Sequence, residues 1–507
     1  MAVTMNRRSR AARLALVALA LLACARREPP RGLGRRIADG DALALRASPD
    51  GAWLAWLDAC EALKDRTLPP GTAACRLEVA PAAGAPPRRM AQGVVTLPQG
   101  FAWSADGQAL AALAEYDAQA ASGTLVAWAP GAEPRREGDG VSFYAFARSG
   151  HALGFVSRGQ LHVARAPPAA AEAVRGADSV ATFEFGDAGA PLLARTTYRA
   201  GGHLLTVRDA AAAMVAAGVR DYGFARDGRR FAFTAGSSQA LQVAWSDAAP
   251  SPALGRDVQS FAFSPRGDAV AFVADASPGR QGDLVVVRAG RSPERLARRV
   301  GEPRWSASGE RLAWLEDYDP RSRTGTLAVG AAPGARRVLA KHVSDFDLTA
   351  DGGAVAFLQH ETAGGYSVDL GLARGSGEPV KVARGVFGFA FSPDGKWLYY
   401  RERCVREAEA CDLSRVSLDA PAAKAEAIAE GAKSFEFAPG KPDRLLVSWA
   451  RRDRVALDLA IWEGGKLTAV DTYVRPGTAQ FVGSDPRRLA YAVLDRRREG
   501  VYVADVP

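Results

Sequence analysis

Two stretches decide the fold: FAFSPRGDAVAFVAD, from Phe261 to Asp275, and FAFSPDGKWLYYRER, from Phe389 to Arg403. In the first, Phe261, Phe263, Val270 and Phe272 are large, while Ala262, Ala269 and Ala271 between them are small. That alternation is the period of a β-strand, with one bulky and one small apolar face. Both faces being apolar, the hairpin suits a sheet covered on each side by a similar sheet. In Ser-Pro-Asp-Gly, Pro presets φ, the Asp carboxylate caps the turn, and Gly takes the positive φ that other residues resist. The aspartates are therefore turn formers before they are candidates for catalysis.

Looser copies begin at Leu45, Phe101, Phe143, Phe183, Tyr222, Pro303, Phe346, Phe435 and Phe481, which makes eleven units. The turn glycines Gly51, Gly107, Gly150, Gly189, Gly228, Gly267, Gly309, Gly352 and Gly395 follow one another at 39 to 43 residues, after one longer first step of 56. A period near 40, with strands in every unit, predicts an all-β chain of β-propeller blades. Most units continue with a third strand, such as DLVVVRAG from Asp283, and a fourth, such as RRVLAKH from Arg336. The last unit ends after its third strand, GVYVADVP, and RRIADGDA from Arg35 reads as the orphan fourth strand that would complete a blade elsewhere. Propellers usually have about four to eight blades, so eleven units predict two tandem rings. The expected division is a first propeller over 37–250 and a second over 251–507.

Residues 1–23 read as a signal peptide: a basic MAVTMNRRSRAAR, then an apolar LALVALALLA too short to span a bilayer. Leu21-Leu22-Ala23-Cys24 resembles a bacterial lipobox. The resemblance implies cleavage before Cys24 and lipid attachment to its sulfur and amino terminus, and several acyl chains together give stable anchoring. Ala25 follows Cys24, where an Asp would favour the inner membrane, so the expected address is the outer membrane, facing the periplasm. A Pro, Gly and Arg-rich tether follows over 24–36.

Four cysteines remain, as local pairs Cys60 with Cys75 and Cys404 with Cys411. An exported chain folds where disulfides persist, and neither pair has the spacing of a zinc knuckle, so both are expected as structural disulfides. The first would staple an insertion in the longest unit, the second a hairpin tip.

The repeat resembles the TolB-type propeller unit of bacterial envelope proteins: aromatic, x, aromatic, Ser-Pro-Asp-Gly, x, x, aliphatic, Ala, aromatic. The match is close at Phe261–Phe272 and Phe389–Tyr399 and covers nearly all of the mature chain in looser form. The resemblance implies the fold, an envelope location and binding to protein or cell-wall-associated partners. TolB has an α/β domain before its propeller, whereas here the tether leads straight into repeats.

Composition narrows the function. The chain of 507 residues is 48% hydrophobic and 24% charged, too apolar and too balanced for disorder. Of 65 basic residues four (Arg7, Arg8, Arg10, Arg13) lie in the leader, leaving 61 against 56 acidic and interleaved with them, which argues against nucleic-acid binding. Arg26, Arg27, Arg31, Arg35 and Arg36 form the densest basic run, suited to a tether near anionic headgroups. There is no G-x-S-x-G elbow, so the peptidases that carry similar repeats do not fit, and no H-E-x-x-H, Walker loop or EF-hand loop. The turns also lack the Asp-box pattern of sialidases. His151, His162, His203, His342 and His360 are scattered singly, and Glu316, Asp317 and Asp319 read as a solvated hairpin tip. No catalytic residue, metal site or cofactor is expected. Two functions remain: a lipid-anchored, non-catalytic scaffold that binds an envelope protein, peptide or glycan, with an exposed aromatic or apolar patch; or a propeller hydrolase or lyase acting on a sugar or lactone at a ring centre, with convergent ionisable groups.

Overall fold

The structure is a computed structural model. It describes residues 32–507 except 66, 168–169, 187–191, 197–201, 247–248, 277–280, 302, 331–334, 362–367, 406–409, 422–423 and 452–454. The leader, Cys24 and the turn at Gly189 lie outside the described residues.

Among the described residues every element is a strand. Each repeat forms a meander of strands paired antiparallel, from the hairpin Ser260–Phe263 with Ala269–Ala274 outward to Asp283–Arg288 and Glu294–Ala297. Numbered along the chain, these meanders are blades 1 to 11. Three strands, Arg135–Phe146, Ala211–Phe224 and Arg337–Leu348, each end one blade and begin the next. They bend where Gly140, Gly218 and His342 take positive φ.

The two-faced reading of the hairpin holds in three dimensions. In blade 6, Val270 and Phe272 pack on blade 5, while Ala269 and Ala271 receive Leu312 and Trp314 of blade 7. Blade 7 repeats the arrangement, Ala313 facing Phe357 of blade 8. Burying one such large side chain contributes about 2 to 3 kcal/mol, and every blade supplies several.

Among the described residues there are eleven apolar clusters, one between each pair of consecutive blades. One of them, built from Ala232, Leu241 and Val243 with Val258, Val270 and Phe272, joins blades 5 and 6 across residue 250. Another joins blade 11 to blade 1 through Val482, Ala490 and Val501 against Leu45, Leu54 and Trp56. The expected division into rings at 37–250 and 251–507 has no counterpart in this order: blade 5 is covered by blades 4 and 6, and the packing closes from blade 11 onto blade 1. The physical reason is that a packed junction at residue 250 leaves no open face to close a smaller ring.

The orphan strand completes the closure. Arg35–Asp39 pairs antiparallel with Gly500–Asp505 and becomes the fourth strand of blade 11. Arg35 and Arg36, expected in the tether, are thus part of the sheet. Both disulfides form, with Cα atoms 4.1 Å apart for Cys60–Cys75 and 4.0 Å for Cys404–Cys411.

Candidate functional site: the inner wall and the two ends of the ring

The first strands of the blades meet one another around the centre. Gln480 of blade 11 accepts from the Ala47 N–H and donates to the Leu45 carbonyl of blade 1. Arg46 donates to the Phe101 carbonyl of blade 2, and Trp103 Nε1 donates back to the Arg46 carbonyl. Tyr222 and Thr182 share a hydroxyl contact of 3.0 Å between blades 4 and 5, and Trp305 Nε1 donates to the Ala262 carbonyl between blades 6 and 7. These strands therefore form the wall of a central channel, as in propellers generally.

One end of the ring is built by the turns between first and second strands. Ser48, Ser104, Ser264, Ser306, Thr349 and Ser392 are buried, and the hydroxyl of each accepts the N–H that opens the second strand. In four of them the same hydroxyl donates to the turn aspartate: Asp50, Asp106, Asp351 and Asp394. Neighbouring turns then touch: Gln108 reaches Asp50, His151 lies 2.7 Å from Asp106, and the Ser308 N–H reaches the Ala350 carbonyl. The turn aspartates are structural, as their spacing predicted. What the sequence reading missed was the hydroxyl before them, whose recurrence five residues ahead of the N–H that opens the second strand is its signal.

The Thr349 hydroxyl and the Gly353 N–H hold the Asp351 carboxyl below its ordinary range. At Asp106 partial burial works the other way but is outweighed by His151, Ser104 and the Gln108 N–H. A carboxyl depressed in the folded state adds stability above its unfolded pKa, near pH 4, and loses it as pH falls through the folded value. Urea melts between pH 6 and pH 3 are accordingly expected to lose stability toward acid, with a shallower loss in Asp351→Asn; an unchanged slope would contradict this role.

The opposite end carries the hairpins between second and third strands, and both disulfides brace such tips: Cys60–Cys75 in blade 1 and Cys404–Cys411 in blade 9. Val405 and Val455, at the tips of blades 9 and 10, are 54% and 64% exposed.

On the channel wall the aromatic side chains pack against the interblade clusters and are only partly covered by them. Trp103, Phe143, Tyr222, Phe261, Phe389 and Phe435 are half-buried, and Phe387 on the first strand of blade 9 is 61% exposed. A cleft of about 460 Å³ opens between the first strands of blades 5 and 6, lined by Arg220, Asp221, Tyr222, Gln259, Ser260 and Phe261 among others. On the first strand of blade 10, loss of water to the surrounding protein holds the Glu436 carboxyl above its ordinary range. Among the described residues no group of three or more His, Cys, Asp or Glu side chains gathers as a metal site would need.

The other singled-out residues are dispersed. His162 stacks on Phe155, and loss of water there lowers its pKa; His360 meets the Ser344 hydroxyl at 2.8 Å. Trp128 and Trp462 are core residues, and Trp245 is half-buried against Phe263. The expected solvated acidic tip is more ordered than its composition implied. Glu316 is buried and bound by Arg336 and Trp314 Nε1, Asp317 pairs with Arg299, and only Asp319 does the work of a turn, capping the Arg321 N–H. These pairs line an outer cleft of about 800 Å³ between blades 6 and 7.

No known family profile matches the chain, and no curated protein matches it. Solved structures do. The crystal structure of the eukaryotic initiation factor is 13% identical with a TM-score of 0.43, over 73% of this chain and 95% of that one. The crystal structure of the tricorn protease is 11% identical with a TM-score of 0.31, over 94% of this chain and 61% of that one. Likenesses at this level carry nothing about function. Among the described residues no helix is long and apolar enough to cross a membrane.

Proposed function

We propose that the protein is a lipid-anchored β-propeller of the bacterial envelope that acts as a non-catalytic scaffold, held through Cys24 at the outer membrane and binding an envelope protein, peptide or glycan. The observation that supports this reading is the inner wall. Its aromatic groups are half-buried and Phe387 is exposed, while charged groups of the first strands, such as Glu184 with Arg148 and Arg304 with Asp345, are tied to neighbouring blades. Rigid aromatic surface gives contact area at little entropic cost, which suits binding. The two disulfides support an exported fold.

Crosslinking in cells followed by recovery of the protein tests this. The intact chain is expected to bring down a stoichiometric envelope partner from the membrane fraction, and Cys24→Ala to leave that fraction. A Cys24→Ala form that still fractionated with membrane would sink the anchor. For the alternative, a hydrolase or lyase, Glu436 is the carboxyl whose raised pKa suits proton donation. Turnover of a sugar or lactone abolished in Glu436→Gln would favour that reading over the scaffold.

A further inference from the structure

We infer that the cleft between the first strands of blades 5 and 6 is a subsite for a neutral oligosaccharide. This rests on the inner wall being the binding surface, as proposed above, and names the class of molecule taken there. The cleft follows from an irregularity in the first strand of blade 5. Its pairing with Phe231–Ala235 slips between Val219 and Tyr222, so Arg220 and Asp221 leave the ladder, and the Asp221 N–H turns to the Thr234 hydroxyl at 3.3 Å. A bulge of this kind re-aims side chains. Two residues on, Gly223 stands where the matching strands of blades 2, 3, 6 and 9 carry Ala102, Ala145, Ala262 and Ala390. A Cβ on Gly223 would find only Glu184 Oε2, at 3.9 Å. The hollow that results, of about 460 Å³, has the size of a small-molecule site.

The lining has the chemistry of a sugar. Tyr222 and Phe261 are half-buried: each ring packs on an interblade cluster and still lines the cleft. The Tyr222 hydroxyl meets that of Thr182 at 3.0 Å, which fixes the ring in place. An aromatic face, negative at its centre, attracts the polarised C–H bonds on the face of a sugar ring. Beside the rings Gln259 and Ser260 are exposed, and their side chains bond no described residue. An amide and a hydroxyl thus stand ready to donate to and accept from sugar hydroxyls. Arg220 and Asp221 pair with each other at 3.5 Å, which leaves the cleft without net charge and suits a neutral ligand over an acidic one. A peptide added as a strand would need free backbone groups here. The Arg220 carbonyl already accepts from Arg195, however, and the Ala262 carbonyl from Trp305 Nε1.

Saturation-transfer NMR on the full-length protein with cellobiose, maltose, chitobiose and chitotriose tests this, with affinities taken from titration. At least one of these sugars is expected to bind. Gly223→Leu fills the hollow without removing a contact and should weaken that binding by about tenfold or more. Gln259→Ala, at an exposed side chain, should weaken it by about fivefold, the worth of one hydrogen bond. Both variants are expected to melt with the parent, which separates loss of the site from loss of the fold. A parent that binds none of the sugars, or that binds as well after Gly223→Leu, would overturn the sugar subsite. A protein adduct from a photo-crosslinking amino acid at position 387 would then leave the wall reading standing, and its absence as well would overturn both.

Discussion

Replacing Gly483 with alanine is expected to lower the stability of the folded ring by about 3 to 4 kcal/mol, combining a left-handed conformation with an overpacked contact. Gly483 has φ of +60° and sits in the turn of blade 11 directly on the turn of blade 1. A Cβ there would lie 2.8 Å from both Cα and N of Gly51, which is backbone and cannot swing aside, and the reverse substitution at Gly51 would meet Gly483 at 3.2 Å. This contact lies where the two ends of the chain close the ring, so the loss should fall on the closure between blades 11 and 1 and on the pairing of Arg35–Asp39. Gly464→Ala is the control: its φ is also positive, at +57°, but nothing lies within 4 Å of the added carbon, so only the backbone cost of about 1 to 2 kcal/mol applies. Equal urea midpoints for the two variants would show that the turns of blades 1 and 11 do not meet.

The second large effect is expected at Arg415. Its guanidinium lies 3.9 Å from the ring centre of Trp397 in blade 9 and 4.5 Å from that of Trp462 in blade 10, sandwiched between the blades. It also donates to Glu426 at 2.8 Å, to Asp443 at 2.9 Å and to the Tyr399 hydroxyl at 3.1 Å, with its side chain only 10% exposed. Arg415→Ala removes the stacked cation and the packing of its stem together. Breaking a buried pair costs about 3 to 5 kcal/mol, and because Glu426 and Asp443 retain access to water the lower figure applies here. Arg415→Lys keeps the charge but lacks the planar fork that both stacks and donates in several directions, so it should recover less than half of the loss. Thermal melts of the three proteins check this, and a lysine variant as stable as the parent would assign the site to charge alone.

Most of the architecture was legible because a blade is a local object. The alternation in FAFSPRGDAVAFVAD separates a large face from a small one, and the structure turns the first to blade 5 and the second to blade 7. Turn glycines in the described blades take the positive φ their position required, from Gly51 at +74° to Gly395 at +66°. Both disulfides were readable as leftover local pairs. The ring order was not, because it depends on contacts between residues far apart in sequence, such as Gly51 with Gly483 and Ala47 with Gln480, that leave no periodic trace. The usual size of propellers suggested a division near residue 250, yet the segment there continues the pattern, with the Ser251 N–H donating to the Val243 carbonyl in place of a regular fourth strand. The candidate site was legible only in part. Aromatic residues on the first strands were plain in the sequence, but their exposure follows from where each strand sits on the channel wall. Phe387 precedes the recognisable repeat of its blade by two residues, and composition alone does not distinguish it from the buried Phe346.

The claim that the inner wall is the binding surface is tested most directly by a photo-crosslinking amino acid placed at Phe387 in cells, compared with one at Leu467 on the outer strand of blade 10, which is 41% exposed. The scaffold account predicts a discrete adduct from position 387, competed by partner binding and absent from position 467. Adducts of the same species from position 467 with none from 387 would contradict it and move the binding surface to the outside of the ring.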